Sequence, residues 1–266
     1  MEPTDLYKLL EEQYFGPNMH EREEIELLPD LLKGVHSFVD VGASLGPYSF
    51  FANKILTGGT IFCIEADPIR FHRLKELSEQ WEKTSDNKIK VLHAAAADKE
   101  GKMDFYLTDA SISGGLFKHH VPDPVLSKSL NWTKTEVAVV TLDGLFRDAD
   151  PDLVKIDVEG AEYRVLLGAR EILQRGKSRF LVEVHPWGDE PIKKTPADVF
   201  NLFAQFGYDF SRTHRHWHFQ KSKQPFKRFL KNRLIVFIMN NQGLKSALKR
   251  LVLAFGKFRK HKPGDI

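Results

Sequence analysis

Residues 38–49, FVDVGASLGPYS, decide how this chain is read. An apolar, β-branched run meets a turn of small residues in which Gly42, Ser44 and Gly46 spell G-x-S-x-G. The pattern fits three chemistries: the elbow that presents a nucleophilic serine, a dinucleotide-binding turn, or a turn that admits an adenosyl group lacking phosphates. A dinucleotide fingerprint needs glycine at 42, 44 and 47, the middle one to admit the pyrophosphate, and Ser44 and Pro47 stand there instead. A serine elbow comes after several strands of its sheet, whereas this turn follows the first.

Outward from the turn, strand-like runs alternate with helical ones. A helix over 48–56, TIFCIEA, a helix over 68–83 and IKVLHAAA come first; DLVKIDVEG, a helix over 161–175 and FLVEVHP come later. Such alternation predicts right-handed crossovers and a parallel sheet, hence an α/β fold. Between residues 101 and 142, MDFYL and VAVVTL flank the Ser/Gly/His/Pro-rich ASISGGLFKHHVPDP, so this stretch reads as an insertion with an exposed loop. A helix over 196–206 and late antiparallel strands at YDFSRTH, HWHFQ and RLIVFIM close the sheet. Helices are also expected over 5–14 and 20–33, the second kinked at Pro29.

Of the three chemistries, the third is favoured. S-adenosylmethionine carries an adenosine, a sulfonium and an amino-acid end, so its turn needs close backbone approach and acids rather than a phosphate cradle. Asp40 precedes the small-residue loop, and Glu65, 25 residues later at the next strand's end, is placed to accept hydrogen bonds from both ribose hydroxyls.

The segments FVDVGASLG, IFCIEADP, VVTLDGLF, DLVKIDVEGAEYRVLLGA and FLVEVHP, spread over residues 35–187, resemble the FkbM-type methyltransferases, a branch of the class I S-adenosylmethionine-dependent enzymes. The family pattern has asparagine where this chain has Ser44. The resemblance implies a Rossmann-like, seven-stranded, mostly parallel sheet with a terminal antiparallel strand. It also implies O-methyl transfer to a sugar, glycan or hydroxylated metabolite, and a cofactor site over Asp40, Gly42, Ala43, Ser44, Gly46, Glu65 and Ala66. The expected organisation is a helical segment over 1–36, the methyltransferase domain over 37–240 and a basic tail over 241–266.

A hydroxyl needs a base to become a good nucleophile. Candidates converge at two strand ends, Asp157 and Glu159 after LVKI, and Glu183 and His185 after FLV. His185 is the expected base, because a neutral imidazole is available near pH 7. Asp157 is expected at the cofactor's methionine end, Glu159 and Glu183 beside His185 or on acceptor hydroxyls, and Glu162 as a solvated first-turn acid. No metal is expected there. His119, His120, His214, His216 and His218 read as exposed.

Charge and composition set the remaining bounds. A single cysteine, Cys63, excludes a disulfide framework and structural zinc and predicts a cytoplasmic setting. The net charge of +3 hides an asymmetry: residues 212–266 carry 15 Lys+Arg and one acid, so they stand at +14 and the rest at −11. In the tail, Leu244, Leu248, Leu251, Phe255 and Phe258 recur at helical spacing among lysines and arginines, which fits either a helix packing its apolar stripe on the sheet with solvated lysines or one lying on an anionic membrane surface. The second of these makes a lipid-linked glycan a candidate acceptor and peripheral membrane attachment a candidate location. Nucleic acid is disfavoured, since the acidic body repels phosphate. The competing functions are a serine esterase using Ser44, Asp157 and His185, and a non-catalytic binding module that docks through the tail.

Overall fold

The computed structural model describes residues 22–108, 114–116, 131–186, 189–213 and 215–222. The elements described belong to a compact unit that ends at Lys221. The helix expected over 5–14, His119, His120, His214, the RLIVFIM strand and the basic tail lie outside the described residues.

Seven strands make the main sheet: β1 (Ser37–Val41), β2 (Thr60–Glu65), β3 (Lys88–His93), β8 (Leu153–Ile156), β9 (Arg179–Glu183), β10 (Tyr208–Arg212) and β11 (His216–Lys221), in the spatial order β10-β11-β9-β8-β1-β2-β3. The pairs β1–β2, β2–β3, β1–β8 and β8–β9 are parallel. β11, the last of the described strands in chain order, runs antiparallel to both β9 and β10. β1 and β8 are buried along nearly their whole length, which is why they read as continuous apolar runs rather than alternating ones. The order reverses at β1, whose neighbours β2 and β8 are far apart in sequence, and the crevice above such a reversal is where ligands bind in open parallel sheets.

Helices cover the sheet: α1 (Arg22–Leu31), α2 (Pro47–Ile55), α3 (Pro68–Glu82), α4 (Leu142–Leu145), α5 (Glu162–Leu167), α6 (Arg170–Arg175) and α7 (Pro196–Gln205). α1 buries Ile25 and Leu28 against a core that includes Phe38, Phe51 and Leu153. Pro68 opens α3 behind Asp67, whose carboxylate accepts the amides of Ile69 and Arg70 at 2.8 and 3.2 Å. The helix expected over 161–175 is instead two. Gly168 has no room for a Cβ against the Ala97 carbonyl, and the Asp143 carboxylate, entering from α4, accepts the amides of Glu171 and Ile172 at 3.0 Å each. An external cap restarts the helix there.

The insertion joins the short β4 (Ala95–Ala96) that precedes it in a second sheet with β5 (Gly101–Thr108), β6 (Gly114–Gly115) and β7 (Trp132–Val140), ordered β4-β7-β5-β6. Phe105, Leu116, Val137 and Val139 pack with Ala66, Ala95 and Ala161 in a core of their own, which ties this sheet to the carboxyl ends of the main one. No helix among the described residues is long and apolar enough to cross a membrane. Replacing Asp143 with alanine strips α6 of its cap and is expected to lower the unfolding free energy by about 0.5–2 kcal/mol, measured by urea titration.

Candidate active site

The turn after β1 is made by departures into left-handed backbone at every second residue: Gly42 at φ 73°, Ser44 at 54° and Gly46 at 78°. A Cβ on Gly42 would collide with the carbonyl of Asp157, so only glycine lets the turn lie against the end of β8. This arrangement aims the Ser44 amide at Glu65, donating to Oε2 at 2.6 Å, while the Asp67 amide donates to Oε1 at 2.8 Å. Each oxygen keeps capacity for a further donor. Burial raises the Glu65 carboxyl above its usual range even though these amides and Arg70 favour its charged form.

Beside Glu65 opens a cavity of about 270 Å³. Gly42, Ser44 and Glu65 line one side, Ala66, Ala95, Phe105 and Leu116 give an apolar wall, and Asp157 and Glu159 complete it. A carboxylate with spare acceptor capacity beside an apolar wall suits a ribose joined to a flat base.

Asp40 lies elsewhere than the sequence suggests. It is absent from the lining and fully buried, accepting from Ser49 Oγ at 2.7 Å and standing 3.4 Å from Lys155 Nζ. The register explains this, since β1 and β8 pair Asp40 with Lys155. Lys155, which spacing alone did not single out, is itself buried; its ammonium also reaches Asp157 at 3.4 Å and sits 4.6 Å from the centre of the Tyr48 ring. Burial would raise the Asp157 carboxyl, but the charges of Lys155 and His185 outweigh it and hold Asp157 below its ordinary range. Asp157 is therefore an anion at the cavity wall.

The two later strand ends do converge. His185 Nε2 lies 3.4 Å from Glu159, 3.9 Å from Asp157 and 4.0 Å from Glu183. On its other side, Nδ1 is 2.7 Å from Glu162 Oε1. Glu162 is thus buried, not the solvated acid its position at a helix start suggests. Burial works to lower the pKa of His185, but the hydrogen bond to Glu162 and the charges of Glu162, Asp157 and Glu159 push it up to about 9. At neutral pH the ring is an imidazolium, rather than the neutral base expected from sequence. Burial, reinforced by Asp157, Glu183 and Glu162 against the opposing charge of His185, lifts Glu159 to about 7. Side-chain exposure falls from 33% at Glu159 through 21% at Asp157 and 15% at Glu183 to 7% at His185, so Glu159 is the most accessible of the group.

His216 is buried as well, 5.7 Å from the Tyr48 ring and 3.9 Å from Glu183 Oε2, because β11 enters the sheet instead of lying on its surface. One ligating atom each from Asp157, Glu159 and His185, and likewise from Asp157, Glu183 and His216, fall within 4.8 Å of one another, a spacing compatible with a cation.

The sequence matches the model of the methyltransferase FkbM domain over residues 40–210. The chain belongs to the FkbM methyltransferase family. It is 25% identical over 192 residues to the hexuronic acid methyltransferase AglP of Haloferax volcanii, spanning 70% of this chain and 68% of that protein. The crystal structure of an FkbM methyltransferase from Methylobacillus flagellatus KT superposes with a TM-score of 0.50 at 18% identity, over 70% of this chain and 43% of that one, so this chain spans less than half of that protein. An FkbM-family protein is an S-adenosylmethionine-dependent methyltransferase, and the cavity beside Glu65 offers acceptor atoms and an apolar wall without a phosphate cradle, as that cofactor requires.

In this FkbM-family chain the buried cation holds the floor of the site together. Replacing Lys155 with methionine leaves Asp40 charged and buried without its partner, and is expected to cost about 3–5 kcal/mol of stability by urea titration.

Proposed function

We propose that the protein transfers the methyl group of S-adenosylmethionine to a hydroxyl of a carbohydrate or a related hydroxylated metabolite. The observation that carries this reading is the placement of Glu159, which lines the cavity and stands 3.4 Å from His185. It puts a proton acceptor at the wall of the pocket that suits the adenosyl group. The hexuronic acid methyltransferase relative supports a sugar acceptor.

The cofactor supplies a methyl group already activated by its sulfonium, so the chain has to align an oxygen and take its proton. In this reading Glu65 accepts the ribose hydroxyls, the Gly42–Gly46 turn lets Ala43 and Ser44 approach the adenosyl group, and Ala66 joins the apolar wall. Asp157, kept ionised by Lys155, binds the amino group of the methionine end. Glu159 takes the hydroxyl proton, and the His185 imidazolium beside it favours the carboxylate that must be present beforehand. Glu183, 3.7 Å from Arg215, accepts from neighbouring hydroxyls of the acceptor. Carboxylates accepting from vicinal hydroxyls are well suited to a polyol.

Incubation with labelled S-adenosylmethionine and a panel of neutral and uronic saccharides is expected to yield S-adenosylhomocysteine and an alkali-stable methyl ether. An alkali-labile ester would move the reaction to a carboxyl group and overturn the hydroxyl assignment. Because Glu159 acts as its anion, kcat is expected to be low below about pH 7 and to rise to a plateau above it. Glu159→Gln is expected to lose roughly a hundred- to ten-thousandfold in kcat. A rise centred near pH 9 instead would assign the proton to His185.

The spacing of apolar and basic residues over 244–260 supports a lipid-linked acceptor, held at an anionic surface by the tail. Co-sedimentation with anionic liposomes that is lost at high salt is expected. Indifference to anionic lipid would remove the lipid-linked acceptor and leave methyl transfer standing.

A further inference from the structure

We propose that Glu162 is a positioning residue: its buried carboxylate grips the His185 ring through Nδ1 and thereby presents Nε2 to Asp157, Glu159 and Glu183. The function given to His185 rests on the acceptor chemistry proposed above; the grip itself does not.

The local backbone builds this contact. Glu159 at φ 53° and Gly160 at 105° turn the chain in the left-handed region just past β8. The Gly160 amide then donates to Glu162 Oε1 at 2.9 Å, and the first side chain of α5 folds back toward the strand ends. His185 arrives two residues beyond β9 and meets the same oxygen at 2.7 Å. Because that oxygen already accepts an amide hydrogen, the hydrogen shared with His185 sits on Nδ1. The ring face is thereby fixed.

Stability alone does not account for the pair. A buried ion pair is commonly no more stabilising than apolar side chains of the same volume, yet Glu162 is only 1% exposed and His185 6%. An imidazole ring has two nearly equivalent flips about its terminal torsion, and a charged hydrogen bond of this kind biases them by roughly ten- to a hundredfold. Without Glu162 the Nδ1 edge would compete for the carboxylates that Nε2 now faces.

The test is proton NMR of the full chain, ¹⁵N-labelled at histidine, with no acceptor present, so it is readable whether or not hydroxyl methylation is found. A downfield Nδ1 proton from His185, identified by its loss in His185→Gln, is expected in the parent protein. It should vanish in Glu162→Ala and persist, moved upfield, in Glu162→Gln, whose neutral amide oxygen still accepts. Persistence in Glu162→Ala, or equal loss in both variants when thermal unfolding shows both folded, overturns the proposal. Should Glu162→Ala fail to fold, Glu162→Gln decides alone, and an unmoved resonance there overturns it. With an acceptor in hand, kcat is expected to fall roughly ten- to a hundredfold in Glu162→Ala at unchanged KM, and to be largely restored in Glu162→Gln.

Discussion

The close approach of Gly42 to the Asp157 carbonyl is the constraint on which the rest of the site depends. Any side chain at 42 would wedge the first turn away from the end of β8. With no side chain there, the turn stays low, the Ser44 amide reaches Glu65, and the cavity wall runs unbroken from the β2 end to Asp157. Two of the strand ends that meet at the sheet's reversal become one surface, so the pocket suited to the adenosyl group and the acids that would handle the acceptor share a border.

Beneath that surface the charges are ordered by depth. Lys155 is buried between Asp40 and Asp157 and neutralises them from below, while Asp40 is further satisfied by Ser49. Nearer the cavity, His185 is the cation and the carboxylates of Glu159, Glu162 and Glu183 surround it. Each layer pairs one positive group with more than one negative one. Burial, reinforced by that excess, makes the Glu159 carboxyl hold its proton more tightly than an ordinary glutamate.

Much of this layout is legible in the residues themselves. The alternation of buried strands and helices gives the parallel sheet, and acids at successive strand ends mark its carboxyl edge. Other features depend on pairings that spacing cannot supply. Lys155 looks like one polar interruption in LVKI until the register of β1 against β8 sets it beside Asp40. Glu162 looks solvated because its chemistry comes from His185, 23 residues away. The split between α5 and α6 is imposed from outside, by Asp143, and His216 is buried only because β11 lies between β9 and β10.

The two sides of the cavity come from separate stretches of chain. The lining acids stand at the ends of β2 and β8, whereas Phe105 and Leu116 descend from the inserted sheet, whose core also takes in Ala66 and Ala161 from the main one. Exchanging that hairpin for another would therefore reshape the apolar wall and, through Ala161 and Val158, press on the strand end that carries Asp157 and Glu159.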